Sequence, residues 1–287
     1  MRGWLVVVLR VGFLIGLASL PFVVQAQETP ARPVEASMRF ELLSDFLVVV
    51  SGQAGGLDGL RFIIDTGASY SVVDEKVADR LRLRREPGKI ANFDREIPIE
   101  WAEIPELRIG PMRVEAARVL VVKLEDYSRL AKNVDGIIGL DLLSRSKTLT
   151  IDYEKKAVSW QLAADGTRDK GPWQYYVVRV AVQGYPLRLV LDTGLQGILL
   201  FGDRLRQDLP NLRTVGEQTK VGIGHLRTTQ VTLPGVRIAG PETVATVFLI
   251  DGPGGNSLPG VDGYLGVASL HAKRVQFDFA EMKIRWQ

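Results

Sequence analysis

The 287-residue chain contains no cysteine. That excludes disulfides, thiolate nucleophiles and a lipidated cysteine at a leader cleavage site. A chain of this length needs no such staples, because a hydrophobic share of 46% is enough for two modest cores. Charge of one sign is equally scarce. Thirty-six basic side chains face 33 acidic ones, and setting aside Arg2 and Arg10 of the leader lowers the net charge from +3 to +1. That is no electrostatic footprint for nucleic acid. The scattered acids Asp135, Asp141, Asp152, Asp262 and Asp278 lack the spacing of metal ligands, so neither a metal nor another cofactor is expected.

Long apolar runs are missing as well, except at the start. Residues 1–26 combine a basic beginning with an apolar run from Val11 to Val24, and Val24 and Ala26 precede Gln27 in an A-x-A-like pattern. This reads as a signal peptide and predicts a periplasmic or secreted protein. The alternative is an uncleaved anchor, since Leu5–Leu9 extend the apolar stretch, and only then would the protein stay near a membrane. A signal without disulfides suits a bacterial periplasm better than an animal secretory pathway. Residues 27–38 read as a flexible spacer, polar and carrying two prolines.

What is present is one unit written twice. "LRFIIDTGAS" (60–69) and "LRLVLDTGLQG" (187–197) each end an apolar run on an aspartate, Asp65 and Asp192, 127 positions apart. "VDGIIGL" (134–140) and "VDGYLGV" (261–267) share that offset. "IPELRIG" (104–110) answers "LPGVRIAG" (233–240), and "TIDYEKKAVSW" (150–160) answers "QFDFAEMKIRW" (276–286). Self-similarity in this order predicts two homologous lobes, 39–162 and 173–287, joined by a polar linker over 163–172. Within each lobe the short β-branched runs "FLVVVSG", "LRFIID", "ARVLVVKL", "KTLTIDYE" and "KAVSWQL" predict strands. Helical pattern is confined to 74–83, 202–209 and 140–145. The fold expected is mainly β.

An ionised carboxylate at the end of an apolar strand costs several kcal/mol or more unless something pairs with it. The duplication offers a partner, because it brings one carboxylate per lobe to a pseudo-twofold axis. Two such groups cannot both ionise comfortably, so they share a proton and can act as base and acid together.

The paired Asp-Thr-Gly turns, with the hydrophobic-hydrophobic-Gly motifs "IIG" (137–139) and "YLG" (264–266), resemble the pepsin/retropepsin superfamily of aspartic peptidases in a signal-bearing, single-chain form. The resemblance extends from about Phe40 to Trp286. It implies a bilobal acid-protease fold, two β-barrel-like lobes around a cleft, with Asp65 and Asp192 as catalytic residues. Thr66 and Thr193 would hydrogen-bond across the lobes. Gly67 and Gly194 would let backbone N–H groups approach the carboxylates, and Ser69 fits the family pattern. The second turn departs from it, with Leu195 and Gln196 where small or hydroxyl residues usually stand. Flaps over the substrate are expected around Asn92 and Phe93, and at Gly222, Ile223 and Gly224, where glycines permit hinge motion. An ordinary glycine-containing hairpin explains the second stretch equally well. His225 beside it reads as incidental. The basic cluster at 79–85 reads as a solvated helix end.

The function implied is an aspartic endopeptidase, monomeric, taking polypeptide substrates and no nucleic acid. The alternative is a non-catalytic relative that keeps the cleft for peptide binding or scaffolding in the cell envelope.

Overall fold

The structure is a computed structural model that describes residues 35–92, 95–127, 133–162, 174–208, 216–223, 226–238, 240–250 and 258–287. The first repeat contains β1 (Glu35–Arg39), β2 (Glu41–Leu43), β3 (Leu47–Ala54), β4 (Leu57–Ile64), β5 (Val72–Asp74), β6 (Arg85–Asn92), β7 (Arg95–Ile109), β8 (Met112–Val122), β9 (Gly136–Ile138), β10 (Ser146–Asp152) and β11 (Ala157–Leu162). Three short helices lie among them: α1 (Glu75–Arg80), α2 (Leu124–Tyr127) and α3 (Leu140–Leu143). The second repeat contains β12 (Val177–Val182), β13 (Tyr185–Asp192), β14 (Ile198–Phe201), α4 (Gly202–Asp208), β15 (Gly216–Ile223), β16 (Leu226–Arg237), β17 (Thr243–Ile250), β18 (Gly263–Gly266), β19 (Arg274–Asp278) and β20 (Lys283–Trp286).

Among the described residues these strands make three sheets, and the fold is mainly β. One runs β2-β3-β4-β9-β5-β8-β7-β6, the second β12-β13-β18-β14-β17-β16-β15. Both contain the same unusual insertion. β9 enters between β4 and β5, parallel to the first and antiparallel to the second, with Ile63 opposite Ile137 and Val72 opposite Ile137. β18 enters between β13 and β14 likewise, with Val190 opposite Tyr264 and Leu199 opposite Tyr264. The registers are therefore equivalent, residue for residue, at the sequence offset.

This insertion explains the apolar runs that precede each aspartate. A strand flanked on both edges and covered on both faces reads as continuously hydrophobic rather than alternating. Phe62 and Ile64 lie in the main core, whereas Ile63 faces a smaller cluster with Phe46, Leu47, Val49, Leu124 and Val134. In the second repeat Leu189 and Leu191 join the main core, and Val190 packs with Leu199, Phe201, Ile250, Val261 and Tyr264.

The third sheet is shared. Its order, β1-β11-β10-β19-β20, takes strands from both repeats, and β10 pairs antiparallel with β19 from Thr148 opposite Asp278 to Asp152 opposite Arg274. Trp160, Phe277 and Phe279 are fully buried there, so one core runs through both halves. β1 corrects part of the expected spacer. Residues 35–38 are strand rather than flexible chain, because Ala36, Ser37 and Met38 pair with Trp160, Ser159 and Val158 of a β11 edge that would otherwise be unsatisfied. Residues 27–34, the 1–26 leader and the 163–172 linker lie outside the described residues.

Candidate active site

Each aspartate is delivered by the strand that precedes it and fixed by the strand inserted beside it. The Asp65 N–H donates to the Ile138 carbonyl at 3.0 Å, and the Leu140 N–H donates to Ala68 O at 2.9 Å, which ties the turn to β9 and α3. In the second repeat Asp192 pairs with Gly266, whose N–H donates to Gly197 O at 2.7 Å. The inserted strands are themselves pinned at their starts. Asp135 accepts from the Arg61 N–H at 2.8 Å and Asp262 from the Arg188 N–H at 2.7 Å. Arg204 adds an ion pair to Asp262 at 3.0 Å. These turn acids, unremarkable in sequence, anchor the insertion.

Between the two turns lies a reciprocal set of hydrogen bonds. The Thr66 N–H donates to Thr193 Oγ1 (3.0 Å), and the Thr193 N–H donates to Thr66 Oγ1 (3.2 Å). The Thr66 hydroxyl donates to Leu191 O (2.9 Å), and the Thr193 hydroxyl donates to Ile64 O (2.7 Å). Both threonines are buried, so each donor and acceptor finds its partner in the opposite repeat.

The glycines follow from the same geometry. A methyl group on Gly194 would stand 2.5 Å from Asp65 Oδ2, and one on Gly67 would overlap the Asp192 carboxylate. The sequence reading assigned these glycines to backbone approach. The structure adds that each leaves the space its opposite carboxylate occupies. Asp65 Oδ1 accepts from the Gly67 N–H at 2.9 Å and the Ala68 N–H at 3.1 Å, and Asp192 Oδ1 accepts from the Gly194 N–H at 2.6 Å.

The two carboxyl groups hydrogen-bond to each other. Burial pushes Asp192 well above the usual 3.8, and the neighbouring Asp65 charge pushes it further. Burial raises Asp65 too, but the hydrogen bonds from Asp192 and from the Gly67 and Ala68 amides oppose it. Both carboxyl groups are thus raised, Asp192 the more, and the pair shares one proton.

Leu195 does not fill the space between them. Its side chain packs with the Val190, Phe201 and Tyr264 cluster of the second repeat, while Gln196 is exposed. Ser69 hydrogen-bonds to the Tyr175 hydroxyl across the two repeats. Asn92 ends β6 opposite Arg95, and Gly222 and Ile223 pair with Arg227 and Leu226 at the end of the β15–β16 hairpin. Phe93, Gly224 and His225 lie outside the described residues. Tyr175 and Tyr264 are the groups beside the dyad that the sequence reading did not single out. The one hint was a tyrosine at 264 where the first repeat has Ile137.

Paired Asp-Thr-Gly turns, interlocked between two sheets that carry the same inserted strand, define the pepsin/retropepsin-like class of aspartic-protease folds. Residues 50–142, within the first repeat, match the family model described as aspartyl protease. A retropepsin-like aspartic protease from Rickettsia conorii superposes on 46% of this chain and 94% of its own, at 17% identity and a TM-score of 0.35. Basic 7S globulin from soybean superposes on 89% of this chain and 95% of its own, at 11% identity and a TM-score of 0.43. A search of curated protein sequences gave no match.

Proposed function

We propose that the protein is an aspartic endopeptidase that hydrolyses peptide bonds in polypeptide substrates. The observation that carries this reading is the close pairing of Asp65 with Asp192, each carboxyl group against the opposite turn's glycine and both turns held by the reciprocal threonine contacts. In the proposed reaction Asp65 takes a proton from a water as its oxygen attacks the scissile carbonyl carbon. Asp192 gives its proton to the carbonyl oxygen, forming a neutral gem-diol. Asp65 then returns a proton to the leaving nitrogen while Asp192 recovers one from a gem-diol hydroxyl, and the C–N bond breaks. The turn amides and the rigid grip fix both groups without rearrangement during the reaction.

Secretion to a periplasm or the exterior belongs to the same proposal and rests on the leader of residues 1–26. Among the described residues no helix is long and apolar enough to cross a membrane.

The test is digestion of a peptide library by the protein lacking residues 1–26, from acid to neutral pH, beside Asp65→Asn and Asp192→Asn. Turnover by the parent and its loss by on the order of 1,000-fold or more in either variant is the expected result. Equal turnover in all three would sink the dyad. Peptide binding by the parent without turnover at any pH would favour the binding-protein alternative.

A further inference from the structure

The contacts that join the two turns obey the twofold relation between the repeats, with one exception. The threonine bonds are reciprocal, each carboxylate accepts from its own turn amides, and each glycine makes room for the opposite aspartate. A dyad built only from these parts would have little to distinguish its two carboxyl groups. The exception is a set of hydroxyls. Ser69 Oγ is hydrogen-bonded to Tyr175 Oη, and Tyr175 is hydrogen-bonded in turn to Tyr264, with ring centroids 6.5 Å apart and planes at 82°. The repeat-equivalent positions of Ser69, Tyr175 and Tyr264 are Gln196, Val48 and Ile137. Val48 is fully buried in the main core, and neither its side chain nor that of Ile137 carries a polar atom, so the chain of hydroxyls exists on one side only. Tyr264 is buried in the small cluster against which Leu195, the residue by which the second turn departs from the first, also packs.

We propose that Tyr175 is a positioning residue: by latching Ser69 of one repeat to Tyr264 of the other on a single flank of the dyad, it makes the two carboxyl groups unequal. The chain is uncharged, so it adds polar groups beside the carboxylates without adding a competing ion. It also stays uncharged over the range in which carboxylates titrate. Burial raises both phenols above 10.0, and the nearby aspartate charges push them the same way. The ionisable groups that act on one another here are Asp65, Asp192, Tyr175, Tyr264 and, through Tyr175, Tyr70. The inference deepens the peptidase reading and takes its catalytic meaning from it, but the inequality itself is measurable without catalysis.

The experiment is NMR titration of 13Cγ-labelled aspartate in the full chain, with the dyad signals assigned through Asp65→Asn and Asp192→Asn. The parent should show two well-separated titrations, the upper belonging to Asp192. Tyr175→Phe, which keeps the ring and its packing, should bring the two together by roughly half a pH unit, less than the loss of a bond made directly to a carboxylate, because the bond removed joins two neutral hydroxyls. Ser69→Ala breaks the same bond from the other repeat and should give a similar shift. The double variant should add little to either single change. If peptide hydrolysis is observed, the acidic and alkaline limbs of its kcat/KM profile should close by the same amount. Unchanged separation in both folded variants would overturn the proposal, and so would fully additive shifts. Normal separation in a parent that never cleaves peptide would instead overturn the peptidase reading and leave this inference standing.

Discussion

Gly67 is constrained by a residue 125 positions away rather than by its own backbone. A methyl group there would overlap the Asp192 carboxylate. Gly67→Ala is therefore expected to force the carboxyl groups apart, with loss of peptide hydrolysis on the order of 100-fold or more and a modest effect on folding. Hydrolysis assays beside a urea denaturation curve check this, and parent-like turnover would refute it. Thr193 allows a complementary test. Thr193→Val removes the donor to Ile64 O and the acceptor of the Thr66 N–H, both buried. The expected loss is about 2–4 kcal/mol of stability, with Thr193→Ser recovering most of it. The aspartates and threonines were legible in the sequence because chemistry and repetition marked the same letters. Tyr175 was not, since its contact is to a serine 106 residues away and its repeat partner is an ordinary valine.

Among the elements, the strands next to each aspartate were legible from their own letters, and the ones that insert beside them only through the resemblance carried by "IIG" and "YLG". β9 is three residues long, and nothing in "GII" says that it lies between β4 and β5. Only its duplicate at β18 and the pinning acids Asp135 and Asp262 show the logic. β1 was missed for another reason: its composition is that of a linker, and pairing to β11 overrides local propensity. That gives an element-scale expectation. Deleting residues 1–39 should uncover the β11 edge and the buried Trp160, producing red-shifted tryptophan emission, a lower Tm and self-association. A deletion variant that stays monomeric with parent-like emission would show that β1 is dispensable.

For the whole molecule, the raised carboxyl groups set the direction of the pH response. Asp192, Asp65 and Asp141 all hold their protons more tightly than an unfolded chain would, chiefly through burial. The native state thus binds more protons than the unfolded one, and this contribution to stability is complete below the usual 3.8 and is lost as pH rises through the raised values. Asp192→Asn, which imitates the protonated form, should gain stability relative to the parent as pH climbs from about 4 toward neutrality. Denaturation midpoints of both proteins at several pH values measure it, and a difference that does not change with pH would contradict it. The duplication was visible in the sequence, residue for residue at an offset of 127. The sheet that β10 and β19 share was not, because pairing across repeats leaves no local signature.

The distance along the chain between the two halves of the dyad also sets a delay. During synthesis from the N-terminus, Asp65 emerges 127 residues before Asp192, which at ordinary translation rates is roughly 6–25 seconds. Throughout that interval the first turn has neither the threonine that grips it nor the carboxyl group that shares its proton. Asp65 is then an ordinary hydrated acid. If the chain is the peptidase proposed above, a nascent copy is harmless to itself and to its neighbours until its second repeat has been made, and the duplication doubles as a timer.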